Sequence, residues 1–324
     1  MTALLEVRNL SKDYPARVRG GVVRAVSDVS FVLEAGQTLG IVGESGCGKS
    51  TLARLIMRLI EPTSGEIFFR GDNLRTLTAS ELRRRRREIQ MVFQDPYASL
   101  DPRMNVAAII AEPLEIHGIG SKDTRNAKVH ELLDLVGLDR AAAAKYPHEF
   151  SGGQRQRIGI ARAIALEPKL VVLDEPVSAL DVSIQSQILN LLEDLKARLG
   201  LSYIFISHDL SVIEHASDLV AVMYLGKFVE VGKAEQVLHT PLHPYAQALV
   251  SAVPEFDVTK KKQRIVLAGD PPNPEEIPAG CPFHPRCSYV MPKCQSLVPT
   301  LDLVEQRKVA CHLYSDWSPT AGWN

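Results

Sequence analysis

Residues 38–51 read Thr38-Leu39-Gly40-Ile41-Val42-Gly43-Glu44-Ser45-Gly46-Cys47-Gly48-Lys49-Ser50-Thr51. The apolar run from Thr38 to Val42 predicts a short buried strand that ends at Gly43. From Thr51 to Ile60, Leu52, Leu55, Ile56 and Leu59 recur at helical spacing, and Pro62 is expected to stop the helix. Between strand and helix lies G-x-x-x-x-G-K-S, in the context that this phosphate-binding loop requires. Small residues let successive backbone N–H groups curl around phosphates, and the helix N-terminus adds a positive dipole end. Gly43 to Thr51 are therefore candidate nucleotide-phosphate contacts. Lys49 is expected to reach the β- and γ-phosphates and the Ser50 hydroxyl to ligate Mg²⁺. Cys47 takes a variable position and reads as a small residue that fits.

Working outward, Leu170-Val171-Val172-Leu173-Asp174-Glu175 is an apolar strand that delivers two carboxylates at its C-terminal end, the edge where such sheets bind ligands. Asp174 suits the Mg²⁺ side of a phosphoryl-transfer site, and Glu175 is placed to orient or deprotonate a water. Ser151-Gly152-Gly153-Gln154-Arg155 opens another helix, with a Ser N-cap followed by two glycines that expose backbone N–H groups. One nucleotide rarely needs two such cradles, so the second is expected to serve a nucleotide held by another subunit.

Other strands are expected at Leu5–Arg8, Val29–Leu33, Glu66–Phe69, Ile89–Phe93 and Tyr203–Ile206, with short strands from Val220 to about Val231. Helical patterns fill Ala107–Glu115, Ala127–Val136 and about Val182–Arg198. Interleaved strands and helices predict a parallel α/β sheet, with the helical stretch as an inserted subdomain.

Taken in order, the P-loop, Gln94, Phe150-Ser151-Gly152-Gly153-Gln154-Arg155-Gln156-Arg157, Asp174-Glu175, Ser178-Ala179-Leu180-Asp181 and His208 resemble the ATP-binding cassette (ABC) family over about residues 4–240. The resemblance implies an α/β P-loop NTPase cassette, a RecA-like core plus a helical subdomain at about 95–167. It implies roles as well: Tyr14 stacking on adenine, Gln94 touching Mg²⁺ or water and sensing a membrane partner, Asp181 facing the opposite subunit, and His208 contacting the γ-phosphate. Phe93-Gln94-Asp95-Pro96-Tyr97-Ala98-Ser99-Leu100-Asp101-Pro102 and His243-Pro244-Tyr245-Ala246-Gln247-Ala248-Leu249 are similar to the oligopeptide/dipeptide (and nickel) importer branch. That branch implies ATP hydrolysis driving import of peptides or a related small solute. It implies a head-to-tail pair of ATPase subunits, the second a paralogue or another copy of this chain, on two membrane permeases, with an extracytoplasmic binding protein delivering the solute. The location implied is the cytoplasmic face of a bacterial-type membrane, peripherally bound.

The chain has 324 residues, 37 Lys plus Arg against 38 Asp plus Glu, 23% charged and 45% hydrophobic residues. This is ordinary globular usage, which excludes a disordered or collagen-like chain, and net −1 offers no basic field for nucleic acid. No apolar run is long enough to read as a membrane span, and Met1–Glu6 lacks a signal-like segment, so a soluble chain inside the cell is expected. Arg83–Arg87 is a run of five arginines flanked by Glu81 and Glu88, and reads as a solvated helix face, with contact to a permease or anionic headgroups as the other option.

Composition shifts after Leu238, where prolines recur, so a loop-rich extension without long helices is expected over 241–324 after a cassette of 1–240. Four of the five cysteines fall there, as Cys281-x5-Cys287-x6-Cys294-x16-Cys311. A loop-rich stretch of this kind needs a cross-link or a metal to hold its shape. Zinc sites usually carry a tight C-x(2–4)-C pair, absent here, whereas iron–sulfur clusters accept varied spacings. In the importer branch the tail resembles a four-Cys [4Fe–4S]-type site. Zn²⁺, with His284 or His312 as substitute ligands, is the alternative, and free thiols or a disulfide the remainder.

Overall fold

The computed structural model describes residues 3–16, 21–95, 97–253 and 264–315. Met1–Thr2, Pro96 of the loop quoted above, and the parts of the extension at 254–263 and 316–324 lie outside the described residues. The chain divides into two compact units. The first comprises residues 1–3, 34–38 and 76–206, and the second 4–33, 39–75 and 207–324.

In chain order, β1 (Ala3–Pro15), β2 (Val22–Glu34) and β3 (Thr38–Val42) lead to α1 (Lys49–Ile56), β4 (Ser64–Phe69) and β5 (Asp72–Asn73). Next come α2 (Ala79–Arg85), β6 (Ile89–Val92), α3 (Val106–Ile116), α4 (Lys122–Leu135), α5 (Gly152–Ile164), β7 (Leu170–Asp174), α6 (Val182–Leu199) and β8 (Ser202–Ile206). The chain closes with α7 (Leu210–Ala216), β9 (Leu219–Tyr224), β10 (Lys227–Lys233), α8 (Ala234–His239), α9 (Pro244–Ser251), β11 (Asp302–Val304) and β12 (Arg307–Val309).

In the first unit β6, β7 and β8 run parallel, with Leu173 paired to both Val92 and Phe205. Every residue of β7 and β8 is buried, as expected of parallel strands covered on both faces. Of the inserted helices, α3 and α4 bury one side, led by Ile110 and Leu114 and by Val129 and Leu133, while α5 is buried on most sides, with Ile158, Ile160 and Ile164 all inside. Ser121 and Asn105 cap α4 and α3 through their side chains. The arginine run begins in α2, where Thr78 and Glu81 form a capping box and only Leu82 is buried.

In the second unit β3 and β9 pair in parallel, Leu39 with Leu219 through Val42 with Val222. β10 and β12 extend this ladder antiparallel, and β2-β1-β4-β5 form a separate sheet. Two departures from the sequence expectation have clear causes. Helix α1 ends at Ile56 rather than near Ile60 because Arg58 takes a left-handed φ of 47° and Leu59 N–H closes on the Arg54 carbonyl. The extension, expected to be loop-rich without long helices, supplies the short helix α9, opened by Pro244 at its first position, and the β11–β12 hairpin. The boundary expected near residue 240 falls inside the second unit.

A buried ion pair ties this extension down. Glu230 of β10 is fully buried, and its carboxylate accepts from the backbone N–H groups of Leu242 and His243, the latter at 2.7 Å. Arg307 of β12, also buried, reaches Glu230 Oε1 at 3.3 Å and donates to the carbonyls of Gln236 and Thr240 at 2.9 and 2.6 Å. Burial pushes the Glu230 carboxyl up from its ordinary value, and the N–H groups and Arg307 oppose it. Next door, His243 Nδ1 accepts the Tyr245 N–H and caps α9. Burial pushes the His243 imidazole down to about 3.

Candidate functional site

The loop between β3 and α1 has the curl that its sequence predicts. Gly48 sits at φ 110° as the N-cap of α1, and a Cβ there would lie 2.1 Å from the Ala25 carbonyl oxygen, so no other residue fits. Ser45 and Gly46 are exposed at the rim, while Gly43, Cys47 and Lys49 are buried. Lys49 Nζ donates to the Gly43 and Glu44 carbonyls at 2.7 and 3.0 Å, so the ammonium is held against its own loop. Ser50 and Thr51 lie in the first turn of α1. Cys47 is packed under the loop, and burial pushes its thiol up despite the nearby Lys49 charge, so it is an inert filler rather than a thiolate.

Three groups from the extension and the loop meet at Glu44. Its N–H donates to the Tyr245 hydroxyl at 2.9 Å. Its carboxylate takes two parallel bonds from Arg286, Nη1 to Oε2 at 2.8 Å and Nη2 to Oε1 at 3.0 Å. The Arg286 side chain is 6% exposed, and the Glu44 carboxylate raises its pKa further above the ordinary arginine value. Tyr245 is fully buried, its ring 4.6 Å from that of Tyr224 and 5.4 Å from that of Phe283. Neither Tyr245 nor Arg286 was singled out from sequence as a site residue. The adjacent Pro285-Arg286-Cys287 and the His243–Leu249 stretch were the available signals.

In the other unit, Asp174 ends β7 and is 4% exposed. The next residue, Glu175, has φ 48°, a left-handed conformation that a glutamate adopts only under constraint. Its N–H is held by the Ile206 carbonyl at 2.9 Å. Its carboxylate accepts a 2.9 Å bond from Gln94 Nε2, so two of the predicted site residues are brought together. Asp95 Oδ1 accepts from the N–H groups of Tyr97 and Ala98, which fixes the turn that follows Gln94.

Ser151 caps α5 in a reciprocal box with Gln154, its N–H donating to Gln154 Oε1 at 3.0 Å. Ser151, Gly152 and Gln154 are exposed and Gly153 is buried. A Cβ on Gly153 would lie 2.5 Å from Ile184 Cγ2, so this glycine is also demanded by packing of α5 on α6. Asp181 stands exposed at the N-cap of α6 with no side-chain cap bond. In the second unit, His208 is exposed between Ser207 and Asp209, the cap of α7. Tyr14, near the end of β1, carries Lys12 Nζ 5.0 Å over its ring. The adenine-stacking reading must therefore share that residue with a cation.

The metal expectation for the tail is not met by a ready ligand set. None of the five cysteines is disulfide-bonded. Among the described residues no three His, Cys, Asp or Glu side chains gather to hold a metal ion, so the zinc or iron–sulfur site expected of Cys281, Cys287, Cys294 and Cys311 finds no support in their arrangement. The four are nonetheless neighbours. Burial pushes the Cys281 and Cys287 thiols up, and Cys311 up to about 11, each raised further by other members of the set.

Among the described residues no helix is long and apolar enough to cross a membrane. The ABC transporter family matches residues 26–178, and the oligopeptide/dipeptide transporter C-terminal region matches residues 229–294. The chain is 52% identical to the oligopeptide transport ATP-binding protein AppF of Bacillus subtilis, over 96% of this chain and 98% of that protein. It is 49% identical to the di/tripeptide transport ATP-binding protein DppF of Pseudomonas aeruginosa, with 96% and 98% covered. Among solved structures it resembles a dimeric post-hydrolysis ATP-binding cassette, MJ0796, bound to ADP and Pi, at 29% identity and TM-score 0.65, covering 71% of this chain and 98% of that one. The cassette cbiO1 of Clostridium perfringens, part of the cbiONQ transporter complex, matches at 27% identity and TM-score 0.66, covering 74% and 92%.

Proposed function

The chain belongs to the ATP-binding subunits of ABC transporters, in the branch that carries the oligopeptide/dipeptide C-terminal region, and from that premise we propose how its residues divide the work. The protein hydrolyses ATP to ADP and phosphate and thereby drives import of di- or oligopeptides. It acts at the cytoplasmic face of a bacterial membrane as one of a head-to-tail pair of cassettes bound to two permeases. The sequence-derived division, a cassette of 1–240 and an extension of 241–324, belongs to this proposal.

Gly43 to Thr51 hold the triphosphate, with Lys49 turning from the loop carbonyls to the β- and γ-phosphates. Tyr14 contributes to the adenine side. The donors Ser50, Gln94 and Asp174 are hard oxygens, and Asp174 is a buried carboxylate at a strand end, a set that suits Mg²⁺. Bound there, Mg²⁺ would neutralise charge developing on the phosphates. The Glu175 carboxylate accepts the proton of the attacking water, and His208 donates to the γ-phosphate. Ser151, Gly152, Gly153 and Gln154 serve the nucleotide of the opposite cassette, with Asp181 at the interface. The exposure of Ser151, Gly152, Gln154 and Asp181 supports that reading.

The observation that carries the coupling is the 2.9 Å bond from Gln94 to Glu175. It links the loop assigned to the permease with the carboxylate assigned to the water. Motion of the Gln94 loop would re-aim the base. Glu175→Gln should still bind ATP while turnover falls about 10²–10⁴-fold; normal turnover would remove Glu175 from the base role.

The finer cofactor reading is that Cys281, Cys287, Cys294 and Cys311 hold an iron–sulfur cluster. The four-cysteine set of the extension motivates it, and the absence of a gathered ligand group among the described residues counts against the cluster and Zn²⁺ alike. Anaerobic purification with iron, sulfide and zinc analysis should find about four irons per chain. Metal-free protein would make the segment a thiol-bearing structural element.

A further inference from the structure

We propose that Arg286 and Tyr245 of the C-terminal extension are positioning residues for ATP binding: Arg286 neutralises the Glu44 carboxylate at the mouth of the phosphate loop, and Tyr245 holds the Glu44 backbone N–H. The inference rests on the reading of Gly43–Thr51 as the phosphate cradle. Every polar group of Glu44 is engaged. Its N–H goes to the Tyr245 hydroxyl, its carbonyl takes Lys49 Nζ, and its carboxylate takes both Arg286 bonds. Arg286 lies 242 residues away along the chain, and a planar fork matched to a carboxylate specifies orientation as well as charge.

The charge argument makes the grip functional rather than merely cohesive. A glutamate inside a loop that must accept a polyanion is an electrostatic liability. Its side chain is only 27% exposed, so solvent screens it in part. Arg286 cancels that charge from inside the protein while leaving Ser45 and Gly46 exposed at the rim. Tyr245 removes the Glu44 N–H from competition and fixes the peptide plane that Lys49 leans on. The Tyr245 hydroxyl, packed through its ring against Tyr224 and Phe283, cannot drift.

The test uses the full-length chain, a trinitrophenyl-ATP probe with Mg²⁺, and steady-state ATPase assays. Arg286→Gln leaves Glu44 bare, and should weaken nucleotide binding about tenfold and raise KM alike, with kcat within about twofold. Glu44→Gln combined with Arg286→Gln removes the bare charge and should recover binding to within about threefold of wild type. Tyr245→Phe keeps the ring packing and should weaken binding about threefold, which keeps the proposal testable if Arg286→Gln misfolds. A structural pin alone would leave the double variant as weak as the single one, and that result overturns the proposal. So does wild-type binding by Arg286→Gln together with Tyr245→Phe. Lys49→Ala is the control for the cradle: if it binds the probe normally, the phosphate-loop reading fails. If it loses binding while the Arg286 and Tyr245 variants do not, only the grip fails.

Discussion

Arg307→Met removes the guanidinium that joins β12 to Glu230 while keeping most of its volume. The structure bounds the loss. Breaking a buried ion pair costs about 3–5 kcal/mol when one charge is left behind. Here Glu230 keeps its backbone N–H donors from Leu242 and His243, and the ionic contact is a single one at 3.3 Å. That places the cost near the low end, about 3 kcal/mol, with the carbonyls of Gln236 and Thr240 losing their donor as well.

The loss has a pH signature. Burial already raises the Glu230 carboxyl, so the folded state holds its proton more tightly than the unfolded chain. That contribution to stability is present at low pH and falls away as pH rises through the folded value. Without Arg307 the folded value rises further, so Arg307→Met should be less destabilising at about pH 5.5 than at about pH 8. Arg307 also reaches Glu305 Oε2 at 3.3 Å, but that carboxylate is 55% exposed, so solvent replaces the lost contact. Thermal melts followed by circular dichroism should show a drop of roughly 6–12 °C at the higher pH for a unit of this size. A drop under about 2 °C, or equal drops at both pH values, would refute the argument.

Gly153→Ala puts a methyl 2.5 Å from Ile184 Cγ2 and should cost about 1–3 kcal/mol. Ile184→Ala in the same chain should restore stability, measured by the same melts, whereas persistence of the defect would separate the glycine from α6. His243, held down to about 3 by burial, stays neutral in the fold, so its contribution to stability is present above the ordinary histidine value and is lost as pH falls from there toward 3. His243→Asn keeps an acceptor for the Tyr245 N–H and should flatten the acid limb of a stability–pH curve; an unchanged limb would assign it to other groups.

The parts of the site that sequence exposed are those built from local runs. β7 is five buried residues ending in a carboxylate, and its apolar letters alone place that carboxylate at a sheet edge. The phosphate loop is legible for the same reason, since its glycines answer local constraints such as φ 110° at Gly48. What stayed hidden is non-local or conformational. Arg58 ends α1 by adopting a conformation that its residue type seldom takes, whereas Pro62 is the only breaker that the letters themselves display. Gly153 reads as a phosphate-binding glycine, yet its demand from Ile184 appears only when α5 packs on α6. The Glu44–Arg286 pair has no local pattern, because each residue alone is an ordinary charged group. The prolines of the extension suggested loops, but Pro244 opens a helix where its missing N–H costs nothing.

The pairing of Leu39 with Leu219 has a consequence for the protein's synthesis. The strand that leads into the phosphate loop leaves the ribosome early, and its partner β9 follows only after the whole of the other unit's 76–206 segment. At about 5–20 residues per second the interval is roughly 10–35 s. Throughout it Thr38–Val42 is an apolar strand without its ladder on that side, and Glu44 waits longer still for Arg286. The nascent chain therefore completes the contacts around its nucleotide loop late, only once residue 286 of the extension has been made.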